Sequence, residues 1–139
     1  PNVEKILSEE KFNDLDNINF CEKFKNNCEK SKKKLKGLLD NYKNDGKNIA
    51  GYAATSKSTT ILNYCGIGPN IIDYICDTTT EKINKYSPGM HIPIVPVEYF
   101  RENMPDIAYL FAWNHKEEIF NKENRFMQKN KKWISHIDL

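Results

Sequence analysis

The stretch from residue 49 to residue 77 constrains the fold most, because its apolar pattern changes period twice. Residues 49–54 are apolar and small, which is typical of a parallel strand buried on both faces. After the polar residues 55–59, helical spacing runs over 60–65, and a second apolar run over 71–76 ends at Asp77. A strand, a helix and another strand in this order predict a right-handed parallel crossover.

The rest of the chain extends this pattern to an α/β fold. We predict a Rossmann-like, mostly parallel sheet with helices on both faces, preceded by a long N-terminal amphipathic helix between residues 19 and 45. Segment 78–96 is too rich in proline for a regular helix and predicts a loop with one extended piece. Further predicted elements are helices over 97–103 and 115–129 and strands over 107–112 and 133–137.

The predicted organisation is a connector over residues 1–46, containing the long helix, and a Rossmann-like domain over 47–139. The first four residues carry no helix start signal. A chain that begins on such a segment indicates a piece of a longer polypeptide.

Composition excludes several classes of partner. The 21 basic residues are interspersed with 19 acidic ones, so the net charge is only +2 and no global field attracts nucleic acid or anionic lipid. No apolar stretch approaches the roughly 18 residues of a membrane span. The four cysteines form no CxxC pair, which favours reduced thiols over disulfides or a metal site. We expect a cytoplasmic protein without a nucleic-acid or membrane partner.

The first candidate site follows the first strand, where folds of this class bind ligands. It consists of Thr55, Ser56, Lys57, Ser58 and Thr59. Backbone amides and hydroxyls before a helix can cradle a phosphate, and Lys57 adds a positive charge. Serine and threonine are equally good helix caps, so the residues alone leave both interpretations open. A glycine-rich dinucleotide fingerprint is absent, which weakens a third interpretation as a dinucleotide-dependent oxidoreductase.

Two more candidate segments follow later strands. Asp77 either receives a sugar hydroxyl or caps a turn, with the cap favoured, and the loop after it brings Lys82, Lys85 and His91. His91 either orients a ligand or contributes acid–base chemistry, or it is a structural histidine, and both interpretations stay open. Trp113 and Asn114 either stack on a base and read its edge, or close the core and cap the following helix. The cap is again favoured. No catalytic set or metal cluster is evident in the sequence.

These segments together resemble, in order and spacing, the carboxy-terminal domain of S-adenosylmethionine-dependent sugar C-methyltransferases. The resemblance covers roughly the last two thirds of the chain. Alanine at Ala53 and serine at Ser58 depart from the family, which usually has glycines there. The motifs that carry the resemblance are residues 51–65, Asp77, Lys82, residues 86–93, Asp106, residues 112–115 and residues 117–119.

The resemblance implies an enzyme of three parts: a zinc-binding segment, a central domain that binds S-adenosylmethionine, and this domain, which helps to bind a nucleotide-diphosphate sugar. It places the base and the zinc cysteines upstream, so it implies no catalytic residue here and an inactive fragment. We therefore expect the nucleotide-sugar-binding domain of a C-methyltransferase that acts on a keto-deoxy sugar, with the upstream cofactor domain as partner. The substrate contacts implied are Ser56, Lys57, Ser58, Asp77, His91, Trp113 and Asn114.

The alternative is a stand-alone Rossmann-like ligand-binding or interaction domain without methyltransferase activity.

Overall fold

The computed structural model describes residues 2–129 and 131–138. The chain divides into two units, Pro1–Lys33 and Lys34–Leu139. The first unit contains helix α1, Asn2–Phe12, and the beginning of helix α2, Ile18–Asn44. None of its described residues is buried. Helix α1 was not predicted, because the first four residues of the chain carry no helix start signal.

The predicted long helix is confirmed as α2. In the second unit, Leu35 and Leu39 of this helix are fully buried in the core. Gly46, with a φ of 71°, lies just beyond the helix end, in the left-handed conformation that glycine adopts without strain.

The predicted α/β architecture is confirmed by a five-stranded sheet of order β3-β2-β1-β4-β5 in which every neighbouring pair is parallel. Because all the strands run the same way, their carboxyl ends lie along one edge of the sheet. The strands are β1 Ile49–Tyr52, β2 Tyr74–Asp77, β3 Ile94–Pro96, β4 Ile107–Leu110 and β5 Lys132–Ile134.

Alternating side chains of the strands enter two hydrophobic clusters, one on each face of the sheet. Ile49 and Ile75 pack in the cluster that α2 and α3 cover, whereas Ala50 and Cys76 pack in the cluster covered by α4, α5 and α6. Helices on both faces are therefore confirmed. The remaining helices are α3 Ser56–Cys65, α4 Val97–Glu102, α5 Lys116–Lys122 and α6 Asn124–Gln128.

Several element boundaries differ from the sequence prediction, and two of the differences have a clear physical cause. The second strand begins at Tyr74 rather than at residue 71, because the amides of Ile71 and Ile72 both donate to the Gly68 carbonyl and form a turn. Their side chains are buried nevertheless, so hydrophobicity alone did not mark the turn.

The predicted helix 115–129 is interrupted at Glu123, which is only 4% exposed. Its carboxylate accepts hydrogen bonds from Tyr52 Oη at 2.9 Å and from Arg101 Nη2 at 2.7 Å and Nε at 3.1 Å. The break places a charged side chain on the core face of the sheet. The Glu123 carboxylate thereby links strand β1 to helix α4 by hydrogen bonds.

Gly51 explains the small residues of the first strand. A Cβ atom on this glycine would lie 2.7 Å from the Phe111 ring and 2.9 Å from Cγ1 of Ile75. Side chains from strand β2 and from the residue after strand β4 therefore occupy the space above Gly51. Among the residues described, no helix combines the length and the apolar character needed to cross a bilayer.

Candidate functional site

Thr55 begins helix α3 as its N-cap. Its Oγ1 accepts a hydrogen bond from the Ser58 amide at 3.2 Å, and the Ser58 hydroxyl donates to the Thr55 carbonyl at 2.6 Å. Ser58 is 1% exposed, so its hydroxyl serves the cap. Within the described part of the chain, no hydrogen bond is formed by the amides of Ser56 and Lys57. The first turn of α3 is therefore capped by Thr55, and the amides of Ser56 and Lys57 remain as donors for a ligand.

The turn that leads into this cap has an unusual backbone. Ala53 has a φ of 73°, in the left-handed region, and its carbonyl accepts from the Thr55 amide at 3.0 Å. A residue with a Cβ pays a steric penalty in this conformation. The position is one of the two at which the resembled family usually has glycine.

Asp77 lies at the carboxyl end of β2 and is 6% exposed. Its Oδ2 accepts from the Ala54 amide at 2.7 Å and from Lys82 Nζ at 3.2 Å, while its Oδ1 accepts from the Thr79 amide at 2.8 Å. Burial by itself would raise the pKa of this carboxyl, but the hydrogen bonds from Thr79 and Lys82 outweigh it and lower the pKa. Asp77 is thus an ionised, well-satisfied carboxylate.

A cavity of about 270 Å³ opens between the start of α3 and the loop after β2. Its wall combines hydroxyls with two lysines and one carboxylate, that of Glu81. The structure thereby brings together five of the predicted site residues: Thr55, Ser56, Ser58, Thr59 and Lys82. Lys85, which lies in the second candidate segment, also lines the cavity. Glu81 and Tyr86 line it as well and were not selected as candidates from the sequence, although Tyr86 lies in one of the recognised motifs.

The far wall of the cavity is fixed to α3 through Asn63. Its Nδ2 donates to the Pro88 carbonyl at 2.9 Å and to the Thr59 carbonyl at 2.8 Å. Gly89 follows with a φ of 79°, and a Cβ atom there would collide with the Asn63 amide group. His91 belongs to the same loop and has a φ of 54°, but it is exposed and is not among the described residues that line the cavity.

The remaining predicted residues form a second group, the Lys57 cluster, which consists of Lys57, Trp113 and Asn114. Lys57 Nζ donates to Asn114 Oδ1 at 2.6 Å and lies 4.8 Å from the centre of the Trp113 ring. The cap interpretation of Asn114 is wrong, since α5 begins only at Lys116. Trp113 does not close the core either, because it is 37% exposed.

His136 lies just beyond β5, and Lys57 acts on it electrostatically. The sequence analysis did not select His136. Burial is the main cause that lowers the pKa of His136; nearby Asp138 raises it and Lys57 lowers it. The imidazole is therefore biased toward its neutral form. No sequence signal marked it, because its proximity to Lys57 arises only from the order of the strands.

Neither a metal site nor a disulfide is formed by the described residues. No group of three or more His, Cys, Asp or Glu among them could hold a metal ion. Cys21, Cys28, Cys65 and Cys76 form no disulfide with one another, and burial raises the pKa of the Cys76 thiol. The polar groups around the cavity can bind and orient a ligand. The amide and ammonium groups of the cavity wall can donate hydrogen bonds to an anion, and the Glu81 carboxylate can accept hydrogen bonds from hydroxyls.

Comparison with known proteins gives two findings. The sequence profile of the family described as the C-methyltransferase C-terminal domain matches residues 1–137. The chain is also 32% identical to C-methyltransferase NovU of Streptomyces niveus over 137 residues. This alignment covers 99% of the present chain but 33% of NovU, so the chain spans about a third of the length of this relative.

Proposed function

The chain belongs to the family of C-methyltransferase C-terminal domains, and we propose that it binds the nucleotide-diphosphate sugar that such an enzyme methylates. The observation that supports this role is the cavity at the carboxyl ends of β1 and β2. There the start of a helix, two lysines and several hydroxyls surround one space. Open sheets of this kind bind ligands at this edge.

The chemistry of the cavity wall matches the parts of a diphosphosugar. The amide of Ser56 and the ammonium groups of Lys82 and Lys85 are donors for phosphate oxygens. The Glu81 carboxylate is an acceptor for sugar hydroxyls. A cavity that held only phosphate would have no need of an acidic wall residue, so the mixed lining favours a sugar bearing phosphate.

We assign the nucleobase to the Lys57 cluster, which begins one residue from the cavity wall. Trp113 offers a partly exposed ring for stacking, and the Asn114 amide can pair with a base edge once its bond to Lys57 rearranges. In this arrangement Lys57 lies between the base and the diphosphate. A contact from His91 stays a prediction, because its loop places it outside the cavity lining.

The size of the cavity supports a shared site. Its volume of about 270 Å³ is below the ~300–1,000 Å³ of pockets that enclose a whole drug-sized ligand. We propose that the rest of the parent enzyme covers the remainder of the substrate and binds S-adenosylmethionine, which supplies the methyl group. The task of this domain is then to hold a keto-deoxy sugar so that its reacting carbon faces the cofactor.

Calorimetric titration tests the proposal. Thymidine diphosphate glucose and uridine diphosphate glucose are titrated into this chain and into the parent enzyme, with free glucose as the control ligand. We expect saturable binding of at least one nucleotide sugar, none of glucose, and a roughly tenfold to hundredfold loss of affinity in Lys57→Ala. Absence of binding by the parent enzyme would refute the proposed substrate class.

Equal affinities of the wild type and Lys57→Ala would instead leave the substrate class intact and remove Lys57 from the phosphate contacts.

A further inference from the structure

We propose that Asp77 is a positioning residue that holds the ammonium group of Lys82 at the cavity and fixes the backbone from which the helix cap begins. This inference rests on the proposed function, because it assigns roles within the same site. It gives different roles to two residues that the sequence analysis placed in one candidate segment. Lys82 touches the ligand, and Asp77 acts through Lys82 and through Ala54.

Three hydrogen bonds form a closed arrangement around Ala54. Asp77 Oδ2 accepts from the Ala54 amide at 2.7 Å, Lys82 Nζ donates to the Ala54 carbonyl at 2.8 Å, and Lys82 Nζ also donates to Asp77 Oδ2 at 3.2 Å. The amide and the carbonyl of Ala54 belong to the two peptide groups on either side of its Cα. Holding both fixes the backbone at Ala54, and Thr55, the cap of α3, follows directly.

The same arrangement orients the ammonium group. A lysine has three N–H donors, and Lys82 uses two of them on Ala54 and Asp77. Its side chain is 39% exposed and lines the cavity, so the third N–H is available to a ligand there. An ammonium that is already fixed loses less conformational entropy on binding than a free lysine side chain.

The charges around Asp77 support a positioning role rather than contact with substrate. Its side chain is 7% exposed, and its oxygens already accept from Ala54, Thr79 and Lys82. A sugar hydroxyl therefore has little access to this carboxylate. Lys57, in contrast, is bonded to Asn114 and is not among the described residues that line the cavity.

The test is a double-mutant cycle on the parent enzyme, with inorganic pyrophosphate and thymidine diphosphate glucose as probes. We expect Lys82→Ala to weaken pyrophosphate binding roughly tenfold to hundredfold and Asp77→Asn to weaken it about fivefold to tenfold. The loss in the combined variant should be smaller than the sum of the two single losses, since part of the effect of Asp77 is exerted through Lys82. Lys57→Ala should weaken pyrophosphate binding less than Lys82→Ala does, because Lys57 is not among the described residues that line the cavity.

Glu123→Gln is the matched control for a general loss of stability. It perturbs another buried carboxylate that bonds a cation, on the opposite face of the sheet, and should leave affinity unchanged. If Asp77→Asn does not fold, the half-exposed Lys82 still allows Lys82→Ala and Lys82→Arg to be measured. Lys82→Arg should retain more affinity than Lys82→Ala.

Two results overturn the inference while leaving the proposed function standing: nucleotide-sugar binding that Lys82→Ala does not weaken, or losses from Asp77→Asn and Lys82→Ala that simply add. Failure of the wild-type enzyme to bind either probe would overturn both proposals.

Discussion

Removing Arg101 should destabilise the domain more than removing the charge of its partner Glu123. In Arg101→Met, the Glu123 carboxylate loses the donors at 2.7 and 3.1 Å and keeps only Tyr52. Deleting one partner of a fully buried ion pair costs about 3–5 kcal/mol. The Arg101 side chain is 44% exposed, so water can partly replace it, and we expect a loss of about 2–3 kcal/mol.

The charge of Glu123 is the reason for this loss, so removing that charge should restore part of the stability. Glu123→Gln alone should cost about 1–2 kcal/mol, because the amide still accepts from Tyr52 and Arg101 can be hydrated. The double variant Arg101→Met with Glu123→Gln should also lose only about 1–2 kcal/mol, since no charge is left buried.

Urea unfolding followed by circular dichroism measures these differences. With a slope of about 1–3 kcal/mol per molar urea, the Arg101→Met midpoint should fall by roughly 0.7–3 M at constant slope. Tyr52→Phe serves as the control that removes one neutral donor and should cost about 1 kcal/mol. If the double variant loses the sum of the two single losses, the carboxylate is not held by Arg101 and the argument fails.

Three further substitutions test the backbone and the carboxylate at the site. Ala53→Gly should raise the free energy of unfolding by about 0.5–1 kcal/mol, because φ is 73° there; a lower midpoint in urea would contradict the strain. Gly89→Ala should lower it by more than about 1 kcal/mol, since the new Cβ collides with Asn63, and an unchanged melting temperature would refute this close contact. The lowered pKa of Asp77 contributes stability that is fully present above about pH 4 and is lost as the pH falls through the lowered value. In Asp77→Asn, the free energy of unfolding should therefore fall less steeply as the pH decreases below about 4. An unchanged slope of this free energy against pH would exclude the contribution of Asp77.

The sequence predicted the fold well because the sheet is parallel and buried on both faces. Strands such as β1 and β4 are continuous apolar runs, and α2 carries a clear helical period. The failures occurred where tertiary contacts override local pattern. Glu123 interrupts a helix because Tyr52 and Arg101, far away in the chain, bond its carboxylate.

The candidate site was only partly predictable for a related reason. The predicted strand ends indicated the correct edge of the sheet, and five of the residues selected from the sequence do line one cavity. The sequence did not indicate that Lys57 pairs with Asn114 or that Lys82 bonds Asp77, because each pairing depends on side-chain reach across the sheet edge. Tyr86 and Glu81 were missed because loop residues carry no periodic signal that tells a cavity wall from a solvated turn.

The most direct test of the central claim is amide mapping by NMR while thymidine or uridine diphosphate glucose is titrated into the ¹⁵N-labelled protein. A nucleotide-sugar site at the carboxyl edge of the sheet predicts saturable shifts for the amides of residues 54–59 and 79–87. The amides of Lys43 and Lys131, at the opposite edge, should stay unshifted. Shifts confined to that opposite edge, or spread evenly over the chain, would contradict the account.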